Sequence, residues 1–460
     1  MNIDQDKPKL ELLAPAGDME KLKTAVRFGA DAVYFGGEMF SLRAGAGNFT
    51  VPEIEDAMDW LHANNAKGYM TINIYPHNGD ISPLKSYISK IRHIPVDAFL
   101  VSDPGVMGLI KDQIPDAEIH LSTQANTTNY LTAGFWASQG VKRIVCAREM
   151  SLNEIRIMRD ELPEDIEIEA FVHGAMCISY SGRCLLSNFM AGRDANRGAC
   201  THPCRWKYDL HSAGQEAAVQ DEYTGYAIEE ETRPGELFPI AENERGTYIM
   251  NSKDLCMIEH IPELIDAGVD SFKIEGRMKT ALYVACVART YRRAIDDYFD
   301  SPDKYRENLE WYKEEIGKCT TRSFTTGFYF GKPGSDSQVY DNSTYITEYV
   351  YLGHAEDVAE DGSFVLHQKN KFSVGEEIEM GAGIALLDDA LARDQLLETE
   401  LGVGHHLHQI GVAHTLEERE LQQLVVYLQL IVFHLRFVGC CPKKRAAIAS
   451  SCLFHDFLFQ

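Results

Sequence analysis

Between the N-terminus and about residue 300, short apolar segments of strand length alternate with stretches whose apolar residues recur at helical spacing. The strand segments span residues 10–15, 32–35, 68–74, 98–102, 118–122, 143–147, 167–172 and 271–274. Between them lie patterns such as Glu53, Ile54, Ala57, Met58 and Leu61, with Trp60 beside them. Strands alternating with helices imply a parallel sheet built from crossover units. Eight such strands point to an α/β fold of the (β/α)8 TIM-like barrel type rather than an open sheet.

The residues that follow the strands are polar or glycine. They are Ala14-Pro15-Ala16-Gly17-Asp18, Gly36-Gly37, Asn73, Ser102-Asp103-Pro104, Thr123-Gln124, Arg148-Glu149, His173-Gly174 and Glu275-Gly276-Arg277. A barrel gathers such ends at its C-terminal mouth, where barrel enzymes carry their active sites. Gly17, Asp18 and Asp103 are equally suited to turns and helix caps. His173, Glu149 and Glu275 are the catalytic candidates, and Asn73 is a substrate-binding candidate. In the last strand Lys273, Glu275 and Arg277 alternate, a costly use of charge unless some of them face the mouth.

At 460 residues the chain has room for about three domains of roughly 150 residues, or for one barrel with an appendage. The barrel is assigned to residues 1–300, with an abnormally long connection at 176–265. This connection is Cys- and Arg-rich at first and then acidic, with nine acids and two Arg between residues 216 and 245. A connection of that length inside a compact domain is usually functional. A helical linker is expected at 301–343, and from 344 to 380 an apolar/polar alternation marks the start of a small antiparallel β domain. Residues 381–460 form a divergent Leu- and His-rich tail without a legible strand pattern.

The formal net charge of -25 excludes attraction of phosphates by the surface as a whole, so a nucleic-acid partner needs a local basic patch. The opening residues show no apolar run behind a basic stretch, and the longest apolar stretch, 421–438, is interrupted by Gln422, Gln423, Gln429, His434 and Arg436. A cytoplasmic protein without a membrane partner is expected. In that setting eleven cysteines are thiols, metal ligands or redox groups rather than a disulfide framework.

Four of them concentrate the chemistry. Cys177, Cys184, Cys200 and Cys204 are separated by six, fifteen and three residues. Four thiolates so close in sequence suit one zinc ion or one iron–sulfur cluster, and they are also compatible with reduced structural thiols. Only the second pair has zinc-ribbon spacing, which favours a cluster. Cys146, Cys256, Cys286 and Cys319 read as core thiols. Arg183, Arg193, Arg197, Arg205 and Lys207 accompany the four cysteines against a single acid, Asp194. Such a local reversal of charge suits a phosphate or carboxylate. Further on, Asn251-Ser252-Lys253-Asp254 is a polar knot whose Lys253 suits an anionic substrate.

The segments ELLAPAGD, GADAVYFGG, NIYPHN, HLSTQAN, EAFVHGAMCISYSGRCLLS, GTYIMNSKDL and KIEGRMK resemble the collagenase-like peptidase family. The resemblance is closest to its prephenate-dependent tRNA uridine 5-hydroxylase branch, and it is dense from about residue 10 to 380. It implies a barrel enzyme that installs a hydroxyl at C5 of the wobble uridine of tRNA without molecular oxygen, with prephenate as co-substrate. It also implies a [4Fe–4S] cluster on Cys177, Cys184, Cys200 and Cys204. Arg183, Arg197, Lys253 or Arg277 would then neutralise substrate anions, and His173 or Glu149 would move protons. The family's older label allows a peptidase, although no Ser/His/Asp elbow and no HExxH motif is present. A third possibility is a cluster-bearing subunit or RNA-binding scaffold that acts with a protein partner.

Overall fold

The computed structural model describes residues 10–42, 47–177, 252–319 and 323–331, with isolated residues and short strands elsewhere. Eight parallel strands form the centre: β1 (Glu11–Pro15), β2 (Ala32–Gly36), β3 (Lys67–Ile72), β4 (Ala98–Val101), β5 (Ile119–Leu121), β6 (Arg143–Val145), β7 (Glu167–Ala175) and β8 (Ser271–Ile274). Each pairs with the next, and Ser271 of β8 lies opposite Glu169 of β7 on one side and Glu11 of β1 on the other. The sheet therefore closes into the expected (β/α)8 barrel.

Helices α1 (Met19–Arg27), α2 (Val51–Ala63), α3 (Ile81–Ile91), α4 (Pro104–Gln113), α5 (Tyr130–Ser138) and α6 (Leu152–Glu161) follow β1 to β6 in turn. Helix α7 (Ile261–Asp266) leads into β8, and α8 (Ala281–Asp300) follows it and packs on α1 and β1. Their starts are set locally. Asp18 caps α1 by accepting from Lys21 N, and Asp103 caps α4 with Pro104 in its first turn. Those two aspartates are caps, as their sequence context allowed. Helix α2 buries Ile54, Ala57, Met58 and Leu61, the face its periodicity marks.

The barrel floor is charged. Arg143 is 2% exposed and reaches Glu11 and Glu169 with its guanidinium, the latter at 3.2 Å. Lys273 Nζ donates to the other Glu169 oxygen at 2.5 Å. Tyr69 and Ser271 donate to the two Glu11 oxygens at 2.6 and 2.9 Å. Burial alone would raise the Glu11 pKa, but Arg143 and these hydrogen bonds outweigh it and hold the group at about 2.

Seven of the eight strands lie within two residues of their expected limits; β7 runs three residues further, to Ala175. Residues 173 to 175 pair antiparallel with a returning strand, Asp254–Cys256, which in turn pairs with Phe324–Thr325. The long connection therefore leaves and re-enters the sheet beside β7. Within it, Tyr226–Glu229, Leu237–Asn243 and Gly246–Tyr248 form antiparallel pairs. Beyond residue 344 the described strands include an antiparallel pair, Gly353–Glu356 with Val365–Gln368. Ile431–Arg436 pairs with Arg445–Ala449 and with Glu377–Ala382; the first two lie in the tail, where no strand pattern was legible, and the third begins in the alternating stretch before it. Among the described residues no helix is long and apolar enough to cross a membrane.

Replacing Arg143 by Met would leave two buried carboxylates short of their cation, a change that typically costs about 3–5 kcal/mol. Arg143→Met should lower the unfolding free energy by that amount, read as a lower denaturant midpoint at unchanged slope. A loss below about 1 kcal/mol would mean that the floor is held by its apolar surroundings instead.

Candidate active site

Above the floor the mouth holds a polar cavity with about 470 Å³ of empty space, part of it open to solvent. Lys273, Glu275 and Arg277 all line it, which accounts for the alternating charges at the end of β8. Arg148 and Asn73 line it too.

Each charge is held in place. Arg277 Nη1 donates to Ser41 Oγ at 2.9 Å and to Thr71 Oγ1 at 3.2 Å. A Cβ on Gly36 would collide with this guanidinium, so the glycine at the end of β2 makes room for it. Arg148 donates to Glu275 Oε2 at 3.0 Å and stacks 3.7 Å above the Phe171 ring. Lys273 sits 4.4 Å over Tyr34, and burial pushes its pKa down against the opposing pull of Glu169. Asn73 accepts from Leu42 N at 3.2 Å and donates to Ser122 Oγ at 3.3 Å. Three cations against Glu275 and the floor carboxylate Glu169 leave the cavity with a positive surplus, suited to a carboxylate or phosphate.

His173 does not line this cavity. Alternation along β7 puts Glu169 and Phe171 inside, and a regular strand would put His173 there as well. The register against β8 shifts, however: Lys273 pairs with Phe171, and Ile274 pairs with His173. Val172 is thus the extra residue of a bulge, and His173 turns outward under α8. Its ring packs against Tyr283, Tyr291 and Phe324, and Nδ1 lies 3.5 Å from the Tyr291 hydroxyl. Burial, with Lys279 nearby, lowers its pKa to about 3. His173, expected to move protons at the mouth, therefore lies outside the cavity wall and faces α8.

Glu149 is half-buried with its pKa raised by burial, and the cavity is lined by its neighbour Arg148 instead. Lys253 precedes the returning strand and is not part of the cavity wall. Arg183 and Arg197 lie outside the described residues. Cys177 is exposed just beyond β7, and Cys184, Cys200 and Cys204 are partly exposed thiols. Among the described residues no group of three Cys, His, Asp or Glu side chains is gathered as a metal site. Cys146 and Cys256 are core thiols, pushed up by burial to about 12 and about 11. Tyr34, Thr71, Ser122 and Lys273 belong to the wall as well. They escaped selection because single hydroxyls and a lysine inside strands carry no motif; Lys273 alone was signalled, by its alternation with Glu275 and Arg277.

The family model for Peptidase family U32 matches residues 17–339. The chain belongs to peptidase family U32. It is 42% identical over 372 residues to "tRNA hydroxylation protein P1" of Bacillus subtilis, covering 81% of this chain and 83% of that one. It is 38% identical over 395 residues to "tRNA hydroxylation protein P" of Escherichia coli, covering 81% and 86%. "Collagenase" of Porphyromonas gingivalis is 32% identical over 342 residues, covering 72% and 75%. This U32 chain thus shares most of its length with relatives that carry two kinds of name.

The buried histidine has a measurable signature. The unfolded chain binds its proton near pH 6.5, the folded protein only near 3. Between those values the unfolded state holds the extra proton, so stability falls as pH falls, by up to about 1.4 kcal/mol per unit. From pH 6.5 to about 4.5 the protein should lose about 2–3 kcal/mol more than a His173→Phe variant does. Parallel curves would mean that His173 accepts a proton in the folded state.

Proposed function

We propose that this protein hydroxylates tRNA at C5 of the wobble uridine, using prephenate as the hydroxyl donor and no molecular oxygen. The reading is carried by the relatives named for tRNA hydroxylation, whose likeness extends over 81% of the chain. The cavity is compatible with it. Prephenate is a dicarboxylate, and Arg148 and Arg277 offer planar, multiply donating groups of the kind that bind carboxylates. Glu275, steadied by Arg148, is the carboxylate nearest at hand to move a proton at the reacting atoms. In an anticodon loop the target base is single-stranded, so its entry into a barrel mouth costs little unstacking.

Deleting the gene in its host should remove 5-hydroxyuridine and nucleosides derived from it from digested total tRNA, read by liquid chromatography and mass spectrometry. An unchanged profile in a strain without a paralogue would overturn the reading.

The [4Fe–4S] cluster is a separate proposal that rests on donor chemistry alone: four cysteines, present as thiols, in the segment leaving β7. Such a cluster would supply one-electron chemistry, and Cys177, Cys184, Cys200 and Cys204 are the residues that would hold it. Protein purified without oxygen should carry about four irons and four acid-labile sulfides per chain, lost in a Cys177→Ala, Cys184→Ala variant. Absence of iron after cluster loading would remove it.

The peptidase reading follows the family's name and the Porphyromonas relative. Against it, the rings packed on His173 are Tyr283, Tyr291 and Phe324, and the thiol opposite it on the returning strand, Cys256, is pushed up by burial to about 11, the reverse of an activated nucleophile.

A further inference from the structure

The polar side chains of the cavity wall are almost all engaged within the protein. Tyr34 donates to the Ile274 carbonyl at 3.0 Å, Thr71 to the Phe35 carbonyl at 3.0 Å, and Thr123 to the Cys146 carbonyl at 3.1 Å. Asn73 uses both ends of its amide, and Lys273, Arg148 and Arg277 have the partners already described. Gln124 differs. Its backbone is fixed: the carbonyl accepts from the Tyr75 hydroxyl at 2.6 Å, and the amide N donates to Ser122 Oγ at 3.4 Å. Gln124 lines the cavity and is nine-tenths buried, yet its Oε1 is enclosed without any hydrogen-bond partner among the described residues. A buried acceptor left unmatched is costly, and such groups are normally satisfied by protein, water or ligand.

We propose that Gln124 is the residue that reads the target base, with Oε1 accepting the uracil N3–H and the amide nitrogen donating to the adjacent carbonyl. This rests on the tRNA hydroxylation reading and assigns a specificity role within the same site. The chemistry of the wall separates the two substrates. An anionic metabolite presents carboxylate and keto oxygens, acceptors that the cations Arg148, Lys273 and Arg277 match, and a hydroxyl on it offers one donor without the flanking carbonyls of a base edge. An enclosed carbonyl oxygen repels such groups and calls for a donor. The uracil edge offers an N–H flanked by carbonyls, complementary to a side-chain amide that carries an acceptor and donors side by side. Gln124 stands just beyond β5, at the mouth, where a base turned out of a loop would arrive.

The test is a cycle between protein and base, using the full chain and synthetic anticodon stem–loops. One stem–loop carries uridine at the target position and the other carries N3-methyluridine, which has no N–H to donate. The wild type should bind the uridine loop about tenfold more tightly, the worth of one good hydrogen bond. Gln124→Met, of similar length and without polar groups, should bind both loops alike, at the level the wild type shows for the methylated one. Gln124→Leu serves as a second apolar variant should the first unfold, with the wild-type thermal transition as the criterion of folding. If the variants keep the full preference for uridine, or if the wild type shows none, Gln124 is not the reader of the base. If the wild type binds neither loop, the tRNA reading itself falls, and this assignment falls with it.

Discussion

Two cations and two carboxylates inside the barrel set the position of much else. Arg143 joins Glu11 to Glu169, and Lys273 occupies the second oxygen of Glu169. These residues come from β1, β6, β7 and β8, so the network spans the seam where the sheet closes. Barrel interiors are usually filled by branched apolar side chains. Here each buried charge carries a desolvation cost of several kcal/mol and is tolerable only with its partners in place. A slip of β8 by one residue would turn Lys273 outward and strand Glu169, so the network fixes register as well as composition. With β8 fixed, Glu275 and Arg277 follow at the mouth.

A second constraint operates one strand away. The bulge at Val172 is stabilised by what its carbonyl accepts, hydrogen bonds from Tyr291 Oη at 2.7 Å and Met257 N at 2.9 Å. It shifts the register at the point where β7 stops being a barrel strand and begins to pair with the returning strand. Gly174 follows with a φ of +108°, and a Cβ there would press on the Glu275 carbonyl. The device lets β7 carry Phe171 into the cavity, turn His173 away from it, and hand the chain to the Cys-bearing segment.

What could be read from the sequence divides along the same line. The eight strands and the alternation of Lys273, Glu275 and Arg277 were legible because burial on both faces and a period of two are local signals. Asn73 and Arg277 were found as polar residues at strand ends, and the cavity contains both. The outward turn of His173 was not legible because its orientation depends on pairing with Ile274, about a hundred residues away in the chain. Glu149 was preferred to Arg148 for its chemistry, whereas geometry places the arginine in the wall. The role argued for Gln124 could not be read at all: it emerges only when every neighbouring hydrogen bond has been assigned.

The distribution of charge also bears on how so acidic a chain can hold anionic substrates. The net charge of -25 belongs to the whole surface, and at physiological salt its influence decays over about 8 Å. Inside the mouth the effective dielectric is lower, and Arg148, Lys273 and Arg277 act at contact distance. An anion therefore experiences repulsion on approach and attraction once seated. That combination favours small, strongly charged ligands that fit the cavity over long polyanions lying across the surface. On the proposed reading an RNA partner would be held through a looped-out nucleotide, and the fit of one base inside the barrel would be a larger share of its recognition than the phosphate backbone outside.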